Sequence, residues 1–356
     1  MTDTVRLDPE PVEAPRTAYF DRLRVVAIVG VVVLHVAAQQ WYVEVPGDAS
    51  WQILNAYDSA VRFCVPVFFM ISGALFLDPA RPVTYSSLLR RSAPRVLVAF
   101  LVWSAFYALM NTFVFGEFRG GRELIEQVLI GNYHLWFLWA LLWLYVATPI
   151  LRAITATRSI AIVFVSLAAI GSTVVPLLDR LPVIGPIVAE IIGRARIDLV
   201  LGYTLFFVLG HLLHNGLFAE MHGWVIASAG FVAVVITAAG TAWLTARHGA
   251  ADSTLYEYLT PNVLVASVAV FLLVKRFSER PGARGPRRMT MIIGAASFGI
   301  YLVHPFFLSV LASMGITTDV LPVVIGVPLL TAVVLILSLL VATVLHRIPK
   351  IGRYLA

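Results

Sequence analysis

Charge is what this sequence has least of: Asp, Glu, Lys and Arg make up 13% of its 356 residues, against roughly a quarter in ordinary soluble domains. Hydrophobic residues reach 60% and the mean hydropathy is +0.88, which excludes a soluble enzyme and implies an integral membrane protein. Cysteine is nearly absent. Cys64 alone cannot form an intrachain disulfide, and its place in an apolar run makes it a small packing residue. Also missing are a Walker loop, a dinucleotide-binding glycine fingerprint, a Gly-x-Ser-x-Gly elbow and a His-Glu-x-x-His helix. Their absence removes support for ATP-driven transport, ordinary serine hydrolysis and zinc proteolysis. No metal set is visible: His211 and His214 stand one turn apart, but no carboxylate or thiol completes them, and they read as interfacial.

What the chain has in abundance is membrane-length apolar runs. Windows of about 20 residues, matched to a hydrocarbon core of about 30 Å, predict helices near 23–43, 58–77, 95–115, 134–154, 159–178, 197–214, 224–245, 257–275, 291–314 and 322–346. The expectation is therefore an all-α polytopic bundle of about ten transmembrane helices. Residues 181–193, with Pro182, Gly185 and Pro186, read as an external loop or a short re-entrant piece. Residues 1–18 read as a disordered cytoplasmic tail rather than a cleavable signal, since they carry acids, prolines and arginines without an apolar core. Residues 19–356 form one transmembrane domain, with no linker or soluble unit, so the bundle must carry the function.

Ten spans put both termini on one side. Nineteen of the 26 Lys and Arg residues fall on that side, six fall opposite, and Arg62 lies inside a span. The bias places both termini in the cytoplasm. It also accounts for the net charge of +6 and the pI near 9.6, because the basic residues sit between apolar runs rather than along a nucleic-acid-binding stripe.

Polar groups inside such runs are costly, and they carry the functional reading. Arg24 and His35 lie eleven residues apart in the first span, on one helix face and roughly 16 Å apart along its axis. Arg24 stands at the cytoplasmic mouth and His35 deep inside. A neutral imidazole at that depth can take a proton from a hydroxyl, or it can simply bond a nearby carbonyl and pack. Arg62, near the outer end of the second span, comes to a similar depth, so that the two could share an outward-facing cavity. It opens the segment Arg62 to Gly73, which has a proline kink at Pro66 and a small Ser72-Gly73 pair suited to close helix approach.

Arg90, Arg91 and Arg95 cluster before the third span. They suit phosphate binding or topology alone. The run from Lys275 to Arg288 reads as topology and lipid contact. At the outer interface, His134-Leu135-Trp136-Phe137-Leu138 offers belt anchors or a sugar-stacking platform. Gly299-Ile300-Tyr301-Leu302-Val303-His304-Pro305 sets His304 beside a kinking proline, for packing or a direct role.

Four segments occur together: Phe20-Asp21-Arg22-Leu23-Arg24 followed by His35, Arg62 to Gly73, His134 to Leu138, and Gly299 to Pro305. In this order, over nearly the whole chain, they resemble the acyltransferase family 3 proteins. The likeness is to the stand-alone branch that O-acetylates surface polysaccharides or their lipid-linked precursors. The resemblance implies acetyl-CoA, or another acyl-CoA, bound from the cytoplasm and a carbohydrate or lipid-linked glycan hydroxyl on the opposite face of a bacterial inner membrane. It implies no metal. Under it His35 matches the essential first-span histidine, as general base or transient acyl carrier, and Arg24 matches its partner. Arg62 becomes the group that stabilises the oxyanion or positions the acceptor, Arg91 and Arg95 the phosphate ligands, and His134, Trp136 and His304 acceptor contacts. Family arginines before the third span are separated by two residues; here Arg91 and Arg95 are separated by three, with Pro94 between, which leaves open which arginine meets phosphate. Some relatives also carry an acid in a late span, and none lies inside the last four spans here, where Glu257 stands only at the first position of its window.

Two rival readings need the same membrane architecture. A secondary transporter of a polar or lipid-linked solute would also use buried His and Arg and broken helices, yet the first and last five spans show no inverted symmetry. A non-catalytic scaffold would have no use for His35.

Overall fold

A computed structural model describes residues 18–81, 84–114, 116, 120–178, 185–195, 201–349 and 352–355. The tail read at 1–18 lies, but for Ala18, outside the described residues. Among those described there are helices and no strand: α1 (Ala18–Trp41), α2 (Ala49–Val61), α3 (Cys64–Phe76), α4 (Ala93–Phe113), α5 (Gly121–Ile130), α6 (Trp136–Thr155), α7 (Arg158–Ala169), α8 (Gly185–Ala195), α9 (Thr204–His214), α10 (Gly223–His248), α11 (Pro261–Glu279), α12 (Arg288–Ser313) and α13 (Val323–His346).

Eight helical units are long and apolar enough to cross a membrane. One is the bent pair Ala49–Phe76, and another is Arg158–Leu178, which extends α7. The ten expected crossings correspond to these eight plus α1 and the eleven-residue α9, which are not among them. The cytoplasmic placement of the termini rests on the Lys and Arg bias alone. The segment read as a loop or re-entrant piece contains α8, whose eleven residues are too few to span a bilayer.

α1 is the hub of the bundle, packed by α2, α3, α11, α12 and α13. Leu23, Ala27, Ile28, Val32, Val36 and Ala37 are fully enclosed, so its apolar surface meets protein on several sides, as expected of a helix hydrophobic all round.

Prolines set the bends. Pro66 has no N–H to offer the Arg62 carbonyl, so the helix breaks at Arg62-Phe63 and α3 restarts with Val67 N–H bonded to Phe63 O at 3.0 Å. Before Pro94 the chain widens into a π turn, Leu88–Ser92, closed by Ala93 N–H on Leu88 O. The same device recurs at Ile170–Val174, just before Pro176.

Glycines set the tightest contact. A Cβ on Gly73 would fall 1.8 Å from Phe207 O, and one on Gly210 would fall 2.1 Å from Met70 O. Backbone therefore meets backbone where α3 crosses α9, the close approach anticipated for the Ser72-Gly73 pair. Two basic residues counted with topology also have structural tasks at helix C-termini. Arg152 donates to the carbonyls of Phe76, Asp78 and Arg81. Lys275 donates to those of Leu213 and His214.

Candidate functional site

Three of the singled-out histidines meet. His35 comes from α1, His304 from α12 just before its internal Pro305, and His134 from the turn leading into α6. Ring centroids lie 4.9 Å apart for His35 and His304 and 5.7 Å apart for His134 and His304. His304 is 0% and His134 2% exposed, whereas His35 is only partly buried. The histidine singled out as base or acyl carrier is thus the accessible member of the group.

Backbone carbonyls assign the protons. His304 Nδ1 lies 2.8 Å from Tyr301 O and 3.2 Å from Ile300 O; carbonyls only accept, so Nδ1 carries the hydrogen. Neutral His304 then presents a lone pair at Nε2, which lies 3.1 Å from His35 Nδ1. That same Nδ1 is 2.9 Å from Val31 O. Both neighbours accept, so His35 holds its hydrogen on Nδ1 and keeps Nε2 as an open base. Proline adds to the arrangement: Pro305 cannot donate to the Tyr301 carbonyl, which leaves that oxygen free for His304.

His134 is held differently. Its carbonyl accepts the Tyr301 hydroxyl, yet neither ring nitrogen makes a hydrogen bond. The Leu302 carbonyl beside it accepts the Tyr107 hydroxyl at 2.7 Å and keeps a second lone pair towards the His134 ring. Buried polar nitrogens without partners are costly and rare, and here they sit beside the accessible base.

A cavity of about 340 Å³ adjoins this cluster through Val31 and Tyr301, without a histidine in its lining. Arg24, Ser92 and Arg95 line it together with Val31, Phe137 and Tyr301. Arg24 and Arg95, from α1 and α4, thus share one cavity whose inner wall supplies the Val31 and Tyr301 carbonyls that orient the two histidines. Arg24 pairs with Asp21 at 3.3 Å, and Arg95 lies over the Phe298 ring at 5.4 Å. Arg91, on the π turn, is exposed and does not line the cavity. Of the two arginines expected at phosphate, the fold brings Arg95 to Arg24.

Arg62 and Trp136 are engaged in contacts of their own. Arg62 Nη2 bonds Asp58 Oδ2 at 2.5 Å, Nη1 reaches Tyr256 O at 3.2 Å, and the guanidinium stacks 4.1 Å over the Tyr256 ring. Its Nε, like Asp58 Oδ1, is buried without a partner. Trp136 stacks on Tyr258 at 5.6 Å and tilts against Tyr203 at 5.3 Å. His211 and His214 do not pair: His211 meets Asn215, and His214 Nδ1 lies 2.6 Å from the Tyr19 hydroxyl. No group of three or more His, Cys, Asp or Glu able to hold a metal occurs among the described residues.

A second, smaller cavity of about 200 Å³ lies between α4 and α5. Tyr107, Asn111, Gln127, Asn132 and Tyr133 line it, and Gln127 Oε1 is buried without a partner. Tyr133 joins it to the histidines, with its ring 5.4 Å from that of His35. Sequence reasoning missed these residues, since isolated amides near helix ends and in turns carry no periodic or motif signal. It also missed Asp58, which the i, i+4 spacing to Arg62 could have revealed.

No curated protein and no solved structure matches the chain. The family model described as an acyltransferase domain matches residues 17–347, nearly the whole length. The chain belongs to acyltransferase family 3.

Proposed function

We propose that this membrane acyltransferase moves an acetyl or other short acyl group from acyl-CoA to a hydroxyl of a surface carbohydrate or lipid-linked glycan, with His35 as general base. The observation that carries the reading is the open Nε2 of His35, fixed by the Val31 carbonyl and His304. The acceptor hydroxyl gives its proton to Nε2 as its oxygen bonds to the thioester carbonyl carbon. Collapse breaks the carbon–sulfur bond, and the CoA thiolate leaves with the proton from Nε2, so His35 ends as it began.

The cavity beside Arg24 and Arg95 suits the donor. Anionic phosphates cannot enter hydrocarbon and would meet arginine at its mouth, while the uncharged pantetheine arm reaches inward beside Val31 and Tyr301. His134 has buried nitrogens free to contact the thioester carbonyl or the acceptor. The amide-lined cavity beside Tyr133 suits a sugar, whose hydroxyls pair with planar amide groups and whose ring faces pack on aromatics. Arg62, held by Asp58, acts as a fixed positive charge rather than a mobile acceptor clamp, with Nε its remaining donor.

The test is transfer of radiolabelled acetyl from acetyl-CoA to candidate glycans by purified protein in liposomes, wild type against His35→Ala. Transfer by the wild type alone is expected. Equal transfer by both would sink the assignment of His35, and solute flux without transfer would favour a transporter.

A further inference from the structure

A cavity of about 940 Å³ lies on the opposite flank of α1 from the cavity that Arg24 lines. Arg22, Arg280, Arg284 and Arg287 line it, and among the described residues no carboxylate does. Its other wall is apolar, with Val26 and Phe277 36% and 60% exposed. The two cavities are separate where α1 meets α12: a Cβ on Gly294 would lie only 3.1 Å from Asp21 O.

These arginines differ from ordinary solvated topology charges. Arg22 and Arg280 place their guanidinium carbons 5.5 and 5.9 Å from the Phe277 ring centroid. Arg22 Nη2 is held by the Arg284 carbonyl at 2.5 Å, while Arg22 Nη1 is buried with no hydrogen-bond partner. The loop that carries the others is preorganised. Ala283 N–H bonds Arg280 O at 2.9 Å across Pro281-Gly282, with Gly282 at φ 77°, the geometry of a type II turn that needs glycine at its third position. Like charges gathered around one cavity, with an unmet buried donor, call for an anion. The nearest acid on the same helix, Glu279, lines a neighbouring groove instead.

We propose that this cavity binds the phosphate of an anionic phospholipid, with the headgroup between Arg22 and Arg284 and the acyl chains along Val26 and Phe277. A soluble phosphate compound offers the same anionic chemistry, but it has no use for an exposed apolar wall at membrane depth. The site lies at the same end of α1 as Arg24, on the other flank, and does not depend on the reaction assigned above.

The test is native mass spectrometry of delipidated protein titrated with dioleoyl phosphatidylglycerol or dioleoyl phosphatidylcholine. The wild type should prefer phosphatidylglycerol by about tenfold, and the preference should shrink as salt rises. In the double variant Arg22→Gln, Arg284→Gln it should fall to near unity. Equal binding of both lipids by the wild type, or an undiminished preference in the variant, would overturn the site. If the variant does not fold, the salt titration of the wild type decides alone: a preference indifferent to salt overturns it. Displacement of the lipid by inorganic phosphate or coenzyme A at equal concentration would assign the cavity to a soluble phosphate instead.

Discussion

His35 and His304 stand 269 positions apart in sequence and share one hydrogen-bond line, 3.1 Å from His304 Nε2 to His35 Nδ1. Each is anchored by carbonyls of its own helix. The pair therefore works in one direction: the α12 backbone fixes His304, and His304 together with Val31 fixes the tautomer of His35. His304 is a positioning residue in this account.

Replacing His304 by Ala removes one of the two acceptors at His35 Nδ1 and lets the ring turn. Activity should fall by about 10²–10⁴-fold in kcat, with KM for acetyl-CoA little changed. His304→Gln, whose amide oxygen can accept from Nδ1, should recover part of the loss. Steady-state kinetics on both variants checks this, and a rise in KM at constant kcat would contradict it.

The cavity lined by Arg24 and Arg95, proposed for the donor, separates Arg95 from Arg91. Arg24→Gln and Arg95→Gln should each weaken CoA binding by about tenfold or more, for a charge-assisted contact of about 1.5–3 kcal/mol, and salt should mimic the effect. Arg91→Gln should change affinity little, because Arg91 lies outside the cavity lining. Isothermal titration across a salt series checks all three.

Asp58 and Arg62 form a buried pair, with side chains 1% and 13% exposed. Asp58→Asn leaves the guanidinium without its counter-charge and should cost about 3–5 kcal/mol. The loss should appear as a lower apparent melting temperature in detergent. The double variant Asp58→Leu, Arg62→Met should recover much of it, because neither charge is then buried alone.

Gly73 admits no side chain where α3 crosses α9. Gly73→Val should destabilise the protein by about 1–3 kcal/mol or more as the helices are forced apart. Thermal unfolding of the purified variant measures it.

In the small outer cavity, Gln127→Ala and Asn111→Ala should raise KM for the glycan acceptor several-fold, for lost hydrogen bonds of about 0.5–1.5 kcal/mol each. Binding of acetyl-CoA should stay unchanged. Loss of donor binding in these variants would place the cavity on the wrong substrate.

Much of the chemistry was legible because membrane depth makes polar residues conspicuous. Arg24, His35 and His304 stood out against apolar runs, and Pro66 and Gly73 announced a bend and a close contact that the bundle contains. Arg62 stood out for the same reason, but its partners did not. Its place in the sequence said that a charge was buried, while the pairing with Asp58 and the Tyr256 carbonyl depends on how α2 breaks and where residue 256 comes to rest. The choice of Arg95 over Arg91 was likewise unreadable, because a π turn resets the helix phase between them.

By itself the sequence determined the solvent, the class of fold and the groups that matter. Composition and hydropathy follow from the chain alone, and a lone histidine in hydrocarbon is costly wherever the helix goes. Only the tertiary structure decided which of these groups meet. Contacts between α1 and α12 are long-range, set by helix packing rather than by spacing, and so is the proton that His304 fixes on His35. The same packing divides the arginines of one short α1 turn, sending Arg24 to the donor cavity and Arg22, two residues earlier, to the other flank. At about 100° per residue they must face apart, and what each then meets is supplied by different helices.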